Sequence, residues 1–263
     1  MWRAPSIASA ARPGQYVHLR APDSLGFVPL RRPLVICGID TARGQVTMHV
    51  VARDPASTWF AGLRPGDRAD LTGPLGQPLQ VGRRTNHLLL IGHGHSMPAL
   101  MPIADAAVAA GRQVTLLCGA ASAAGVYPSS LLRDEVEYVV ATADGSLGHR
   151  GTVVGLMPEY EAWADEAIAI GPLPVLEDLV RVARGRDARL GVARLGRRKG
   201  RSSPRRPTRS ASRSWLTVFM DQSVGCALGV CLGCVVPSAS GLVRVCREGP
   251  SFAADDLVWS GVE

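Results

Sequence analysis

Hydrophobic positions change their period once along this chain, near residue 85. Before that point they come in short bursts, Gly14-Gln-Tyr-Val-His-Leu-Arg20, Arg32-Pro-Leu-Val-Ile-Cys37, Gln45-Val-Thr-Met-His-Val-Val51 and Asp67-Arg-Ala-Asp-Leu71, separated by Gly, Pro and Asp. Alternating or continuous apolar character over so few residues predicts short strands, and a series of them predicts an antiparallel β-barrel. Beyond residue 85 the runs are continuous. His87-Leu-Leu-Leu-Ile91 leads through Gly92-His-Gly-His-Ser-Met-Pro98 into a helix predicted over 99–110, then into a strand at Gln113-Val-Thr-Leu-Leu-Cys118. Val136 to Thr142 and Glu166 to Ile170 repeat the buried-strand signal, the second followed by Gly171-Pro172 and a helix predicted over 174–184. Repeated strand, loop and helix imply a parallel sheet with ligands at the carboxyl ends of its strands. The expected fold class is β-barrel plus α/β. It divides into an N-terminally short barrel (1–84), an α/β domain (85–185), a basic linker or insertion (186–215) and a small cysteine-rich unit (216–263).

Two loops carry candidate chemistry on the predicted parallel sheet. Gly92 and Gly94 lie where free N–H groups at a helix start would meet a pyrophosphate. The loop is not a full G-x-G-x-x-G, because Met97-Pro98 stands where the last glycine would be, and tight strand-to-helix turns need glycine without any ligand. Asp144-Gly-Ser-Leu-Gly-His-Arg-Gly151 adds a second small polar loop at the same expected edge, and the two together point to a nucleotide site. In the barrel, Arg31 and Arg32 before Pro33 offer guanidinium groups suited to a phosphate, or simply a solvated strand end. His93, His95 and His149 have no acidic neighbours at metal-ligand spacing and read as loop histidines.

Cysteine spacing is the sharpest chemical signal. Cys226, Cys231 and Cys234 follow C-x4-C-x2-C, and Cys246 comes after eleven more residues. The first three match the plant-type iron–sulfur pattern. Gly225, Gly229 and Gly233 lie between or beside these residues, where a backbone without Cβ atoms can turn N–H groups toward sulfur. Structural zinc is the alternative, but it usually takes two separated cysteine pairs, whereas three of these lie on one loop. Spacing therefore favours a [2Fe–2S] cluster. A disulfide framework is not needed by a chain of 263 residues, which can bury a core unaided. Cys37 and Cys118 sit in apolar runs as small core residues.

Charge narrows the function classes. The formal net charge is +7, yet Arg194 to Arg213 holds eight arginines, one lysine and no acid, so removing this +9 leaves the rest at −2. That stretch has no aromatic residue to stack on bases, which argues against a general nucleic-acid surface. It also lacks apolar periodicity and reads as a disordered linker or tolerated insertion. The longest apolar runs are too short to span a bilayer and the start leads into no signal-like core, so a cytoplasmic protein is expected.

Barrel, nucleotide domain and C-terminal cysteines in this order resemble the electron-transfer subunits of NAD-dependent bacterial dihydroorotate dehydrogenases, within the ferredoxin-reductase-like flavoproteins. The residues that carry the resemblance are Cys226-Ala-Leu-Gly-Val-Cys-Leu-Gly-Cys234 with Val245-Cys246-Arg-Glu-Gly-Pro250, Ala141-Thr-Ala-Asp-Gly-Ser-Leu-Gly-His-Arg-Gly151, and Leu30-Arg-Arg-Pro-Leu34. It implies FAD in the barrel, NAD as electron acceptor on the α/β domain, and a [2Fe–2S] cluster on Cys226, Cys231, Cys234 and Cys246. The family's Arg-Pro-x-Ser flavin motif maps to Arg32, Pro33, Leu34 and Val35. Further flavin contacts map to His49, Val50 and Val51, and a Gly-Thr pair to Ser57 and Thr58. The nicotinamide loop maps to Gly92, Gly94 and Pro98. Here Val35 replaces a hydroxyl donor, Asp54-Pro55-Ala56 lengthens a loop, and His93 and Ser96 stand where the family favours glycine. The implied partner is an FMN-containing catalytic subunit, two of each forming a heterotetramer in pyrimidine (UMP) biosynthesis, with no catalytic acid or base in this chain. The same device could serve an NADH–ferredoxin NADP reductase or a sulfide dehydrogenase complex. A zinc module with a basic nucleic-acid-binding segment is the rival of another class.

Overall fold

The computed structural model describes residues 1–22, 31–189 and 214–259. Its first sheet contains β1 (Trp2–Arg3), β2 (Tyr16–Arg20), β3 (Arg32–Asp40), β4 (Gln45–Met48) and β5 (Asp70–Leu75). They lie in the order β1-β4-β3-β2-β5, all pairs antiparallel, so the sheet is an open half-barrel. Alternation sends Val17, Leu19, Leu34, Ile36 and Val46 to one face. Two short helices cap that face, α1 (Pro5–Ala10) through Ile7 and Ala8, and α2 (Pro55–Ala61) through Phe60. Neither helix is visible in the alternation pattern, since each is too short to show a helical period.

The second sheet and its neighbours contain β6 (His87–His93), β7 (Gln113–Ala120), β8 (Val136–Thr142), β9 (His149–Arg150), β10 (Glu166–Ile170) and β11 (Leu216–Phe219). A hairpin of β12 (Val235–Ser238) and β13 (Gly241–Arg244) follows, then β14 (Ser251–Ala253). The sheet order is β14-β11-β10-β6-β7-β8-β9, parallel throughout except for β14 against β11. Its central run is continuously apolar because both faces are covered. Leu88 and Leu90 pack with Leu100 and with Ile103 of α3 (Met101–Ala109). Leu89 and Ile91 pack in the opposite core with Leu156 of α4 (Val153–Tyr160) and Leu179 of α5 (Leu173–Arg189).

Three boundaries differ from the sequence expectation. The helix expected over 99–110 is a 3-10 stretch, Gly94–Leu100, followed by α3. Pro98 and Pro102 donate no backbone hydrogen bond, and the α-helix begins only where Pro102 falls in its first turn. Helix α5 runs to Arg189 rather than 184, and the Arg186 guanidinium lies 4.3 Å from the Trp215 ring centroid. The expected linker therefore begins as helix, and the rest of it, 190–213, lies outside the described residues. Leu216–Phe219, assigned by sequence to the cysteine-rich unit, is a strand of the parallel sheet.

The three units meet at one turn. Gln77 N–H donates to the Gly249 carbonyl at 2.7 Å and its side-chain Nε2 to the Arg247 carbonyl at 2.9 Å. On the other side, Met220 N–H donates to the Pro250 carbonyl at 2.9 Å. Among the described residues no helix is long and apolar enough to cross a membrane.

Candidate functional site

The segment 225–234 is a succession of turns in which Ala227 (φ 55°), Gly229 (φ 78°) and Leu232 (φ 56°) take the left-handed conformation. Such a backbone aims successive N–H groups inward. Leu228 N–H donates to Cys226 Sγ at 3.3 Å and Gly233 N–H to Cys231 Sγ at 3.5 Å. From the next strand pair, Cys246 N–H donates to Cys234 Sγ at 3.5 Å. Glycine is required at 229, where a Cβ would also lie 2.6 Å from Arg247 Cγ. At 225 and 233 a Cβ would meet only Cys231 Sγ, at 3.7 and 3.6 Å, an ordinary contact. Those two glycines are thus not forced by crowding.

All four cysteines are free, and the sulfurs associate as two pairs, Cys226 with Cys231 and Cys234 with Cys246. Among the described residues they do not close into a single cage of metal-ligand spacing. Two cysteine pairs suit a two-iron centre, in which each iron takes two thiolates. Backbone N–H groups of Cys231 and Leu228 pull the Cys226 thiol down to about 6, whereas burial, then Cys234, pushes Cys246 up to about 11. A donor set of four thiols with N–H groups already on three of them fits an iron–sulfur cluster.

Beside this loop runs a cleft whose first wall is the half-barrel face opposite its core. Register places Tyr16 against Val35 and His18 against Pro33, and all four side chains share that face. Met220, Asp221, Gln222 and Val224 form the facing wall, with Val245 and Pro250 at the end nearest the cysteines and a cavity of about 40 Å³ between. Tyr16 and His18 are 3% and 2% exposed, yet the tyrosine hydroxyl and His18 Nε2 have no hydrogen-bond partner among the described residues. Burial, then Arg31, lowers the His18 ring below its ordinary value, so it is neutral. Apolar walls with an orphaned tyrosine hydroxyl can meet one edge of a heteroaromatic ring, while the enclosed space itself is only water-sized.

The structure separates the predicted flavin contacts. Pro33 and Val35 line the cleft, but Leu34 alternates to the core behind it. Arg31 is engaged by Asp70 through bonds of 3.0 and 2.7 Å, and Arg32 Nε meets Asp54 Oδ2 at 3.2 Å. His49, Val50 and Val51 follow the end of β4 rather than extending it. Ser57 departs most from expectation. Its N–H donates to Asp54 Oδ1 at 2.9 Å while its hydroxyl accepts from Asp54 N–H at 3.0 Å, a capping box that commits both groups to starting α2. Thr58 remains exposed beside Arg53 and Trp59 in an open depression.

The predicted nucleotide loop also splits by role. Gly94 has φ +63°, and at Gly92 a Cβ would strike Met97 Cγ at 2.7 Å. Pro98 is buried in the helix-side core, so its ring packs rather than binds. His93, expected in the loop, closes strand β6. A Cβ on Gly119 would lie 2.8 Å from its Cδ2, and one on Gly171 would lie 3.1 Å from its Cβ. The ring thus occupies the carboxyl ends of β6, β7 and β10, with Nδ1 buried and without a partner among the described residues. Beyond it, Arg53 reaches the His95 ring at 3.1 Å and Ser96 Oγ donates to Asp221 at 3.3 Å, joining this loop to the cleft wall.

Residues 221–258 match the family of the iron-sulfur cluster binding domain of dihydroorotate dehydrogenase B. Over 258 residues the chain is 30% identical to the dihydroorotate dehydrogenase B (NAD(+)) electron transfer subunit of Shouchella clausii, covering 96% of this chain and 88% of that one. The Geobacillus thermodenitrificans protein of the same name is 30% identical over 257 residues, 96% of this chain and 89% of that one. A solved NADH-dependent reduced ferredoxin-NADP oxidoreductase superimposes with a TM-score of 0.76 at 23% identity, covering 99% of this chain and 84% of that one, a likeness of fold. An Amycolatopsis cytochrome P450 reductase gives 0.54 at 25% identity over 67% of this chain and 58% of its own. The match of the cysteine segment decides between the two metal readings in favour of iron and sulfide over zinc.

Proposed function

Because the chain belongs to the family of dihydroorotate dehydrogenase B electron transfer subunits, we propose that it takes electrons from a catalytic partner that contains FMN and oxidises dihydroorotate, and delivers them to NAD+. It works in the cytoplasm, in the route to UMP, as two copies with two of the partner. The observation that carries this reading is a shared wall: Val245 and Pro250 end the flavin cleft and also flank Cys246 in the cluster segment. When bound, FAD and a [2Fe–2S] cluster supply electron storage, the cluster one at a time and the flavin one or two.

The chain's residues do the rest. Cys226, Cys231, Cys234 and Cys246 hold the irons, and the N–H groups on their sulfurs favour the thiolate form. Pro33 and Val35 give the flavin ring an apolar face, with His18 behind them, its Nε2 without a partner among the described residues. Arg32 meets the flavin phosphates, which requires its partner Asp54 to yield, and Thr58 is the exposed hydroxyl beside them. Gly92 and Gly94 shape the nicotinamide loop, with His93 at its floor. No side chain is assigned the role of acid or base, because the electron and hydride transfers are carried by the cofactors. The partner docks over the cluster loop, where Leu228, Val230 and Leu232 are 67%, 74% and 58% exposed around Cys231.

An anaerobic absorbance spectrum with iron, sulfide and flavin quantified on the same sample tests the reading. Flavin bands with equal iron and sulfide support it, and a colourless protein holding zinc alone would sink it. Co-purification with a subunit that consumes dihydroorotate identifies the partner.

A further inference from the structure

Leu89, Ile91 and His93 alternate to one face of β6, the face covered by α4 and α5. Strand β7 pairs on one side of β6 and β10 on the other, so the winding of the sheet reverses at β6. In an open parallel sheet a dinucleotide binds in the crevice outside the carboxyl ends at such a reversal. The His93 side chain stands there. A Cβ on Gly171 would lie 3.1 Å from its Cβ, and one on Gly119 2.8 Å from its Cδ2, so the glycines that clear the crevice clear it for this side chain.

The ring is poorly held in that place. Nδ1 is enclosed without a partner among the described residues, and a nitrogen that has lost its water and gained no bond weakens the position it occupies. Burial first, then His95, lowers the ring below its ordinary value and keeps it neutral. The surrounding backbone is fixed: β6 is paired on both sides, Arg53 meets the His95 ring at 3.1 Å and Ser96 Oγ donates to Asp221 at 3.3 Å. The side chain is therefore the part that moves. Turning about χ1 into solvent returns water to Nδ1 and empties the crevice.

We propose that the His93 side chain is a gate: in the ligand-free protein it occupies the crevice of the pyridine dinucleotide, which binds only when the ring has swung out. This rests on the reading of that crevice as the NAD(H) site. The apparent affinity is then the intrinsic affinity multiplied by the fraction of molecules with the ring out.

The test is isothermal titration of NAD+ into the oxidised, full-length holoprotein, comparing wild type with His93→Gly, His93→Ala and His93→Phe, with iron, sulfide and FAD quantified for each. Oxidised protein turns nothing over, so the heat reports binding alone. His93→Gly and His93→Ala leave the crevice empty and tighten NAD+ by about tenfold, the shift expected when the open fraction rises from about a tenth to one. His93→Phe keeps a ring in place with no nitrogen to rehydrate, and weakens NAD+ by about threefold or more. General destabilisation would move all three variants the same way. Weaker binding by His93→Gly and His93→Ala overturns the gate and makes the ring a contact for the dinucleotide, and unchanged affinity in all three variants overturns it too. A holoprotein loaded with flavin and cluster that binds no NAD+ in any of the four forms overturns the nicotinamide reading itself, and the gate with it.

Discussion

Arg32 Nε lies 3.2 Å from Asp54 Oδ2, tying the first residue of β3 to the residue that caps α2. The Asp54 carboxylate therefore serves a helix start and a cation at once. Hydrogen bonding from Ser57, then Arg32, holds its carboxyl below the ordinary value. The lowered value means that the stabilisation is fully present above the unfolded carboxyl value, about 3.9, and is lost as pH falls through the folded one. Asp54→Ala lowers stability by about 1 kcal/mol at pH 7, the usual cost of an N-cap, with little added by a half-exposed ion pair. Urea unfolding at pH 7 and at successively lower pH checks this: the gap between variant and wild type narrows as pH falls from about 4 through the folded carboxyl value.

Arg32→Ala removes the guanidinium assigned to the flavin phosphates. Loss of one charge-assisted bond weakens FAD binding by roughly tenfold or more. Fluorescence titration of flavin-stripped protein measures it, and an unchanged affinity would release Arg32 to a purely structural role with Asp54.

In cluster-free protein the thiols differ in reactivity. Cys226, drawn down to about 6, is largely thiolate at neutral pH, while Cys246, pushed up to about 11 and buried, is not. Iodoacetamide labelling followed by peptide mass spectrometry finds Cys226 modified first, with its rate rising through pH 6 and levelling above it. Equal labelling of the two would contradict the arrangement of N–H groups around Cys226.

Gly119→Ala places a methyl 2.8 Å from His93 Cδ2 and 3.0 Å from Val153 Cβ. Overpacking of this kind costs about 1–3 kcal/mol. Adding His93→Ala returns part of the loss, because Val153 still crowds the methyl. A double-mutant cycle in thermal unfolding reads the coupling, and strictly additive effects would show that the His93 ring moves aside freely.

Leu228→Asp and Val230→Asp weaken association with the catalytic subunit while leaving iron and sulfide contents unchanged, since both side chains point outward from the loop. Each costs on the order of tenfold in affinity, the scale of a moderate interface anchor. Analytical ultracentrifugation of the two subunits together decides, and unchanged assembly would move the docking face elsewhere.

The parts of this architecture legible in sequence are those where one physical demand dominates. Leu88 to Ile91 needs both faces covered, so a continuous run announces a buried parallel strand. Cys226, Cys231 and Cys234 stand at a spacing that few other demands produce. Ser57 was harder. Asp54-Pro55-Ala56-Ser57 is a helix start written in four residues, and against a resemblance that expects a flavin contact it reads as a lengthened loop. His93 was misplaced because its setting depends on Gly119 and Gly171, glycines that become meaningful only when β7 and β10 flank β6. The far wall of the cleft, Met220 to Val224, is brought in by β11, and no local pattern could tell that this strand follows β10 in space.

The short strand β14 pairs backbone to backbone with β11 at the margin of the parallel sheet. That pairing removes a freedom which tethered redox modules often use. A cluster carried on a loose tether must swing between donor and acceptor, so its transfer rate follows viscosity and linker length. Here the cysteine segment is stitched at both ends into the sheet that walls the cleft. The placement of the cysteine segment beside the cleft is built into the hydrogen-bond ladder.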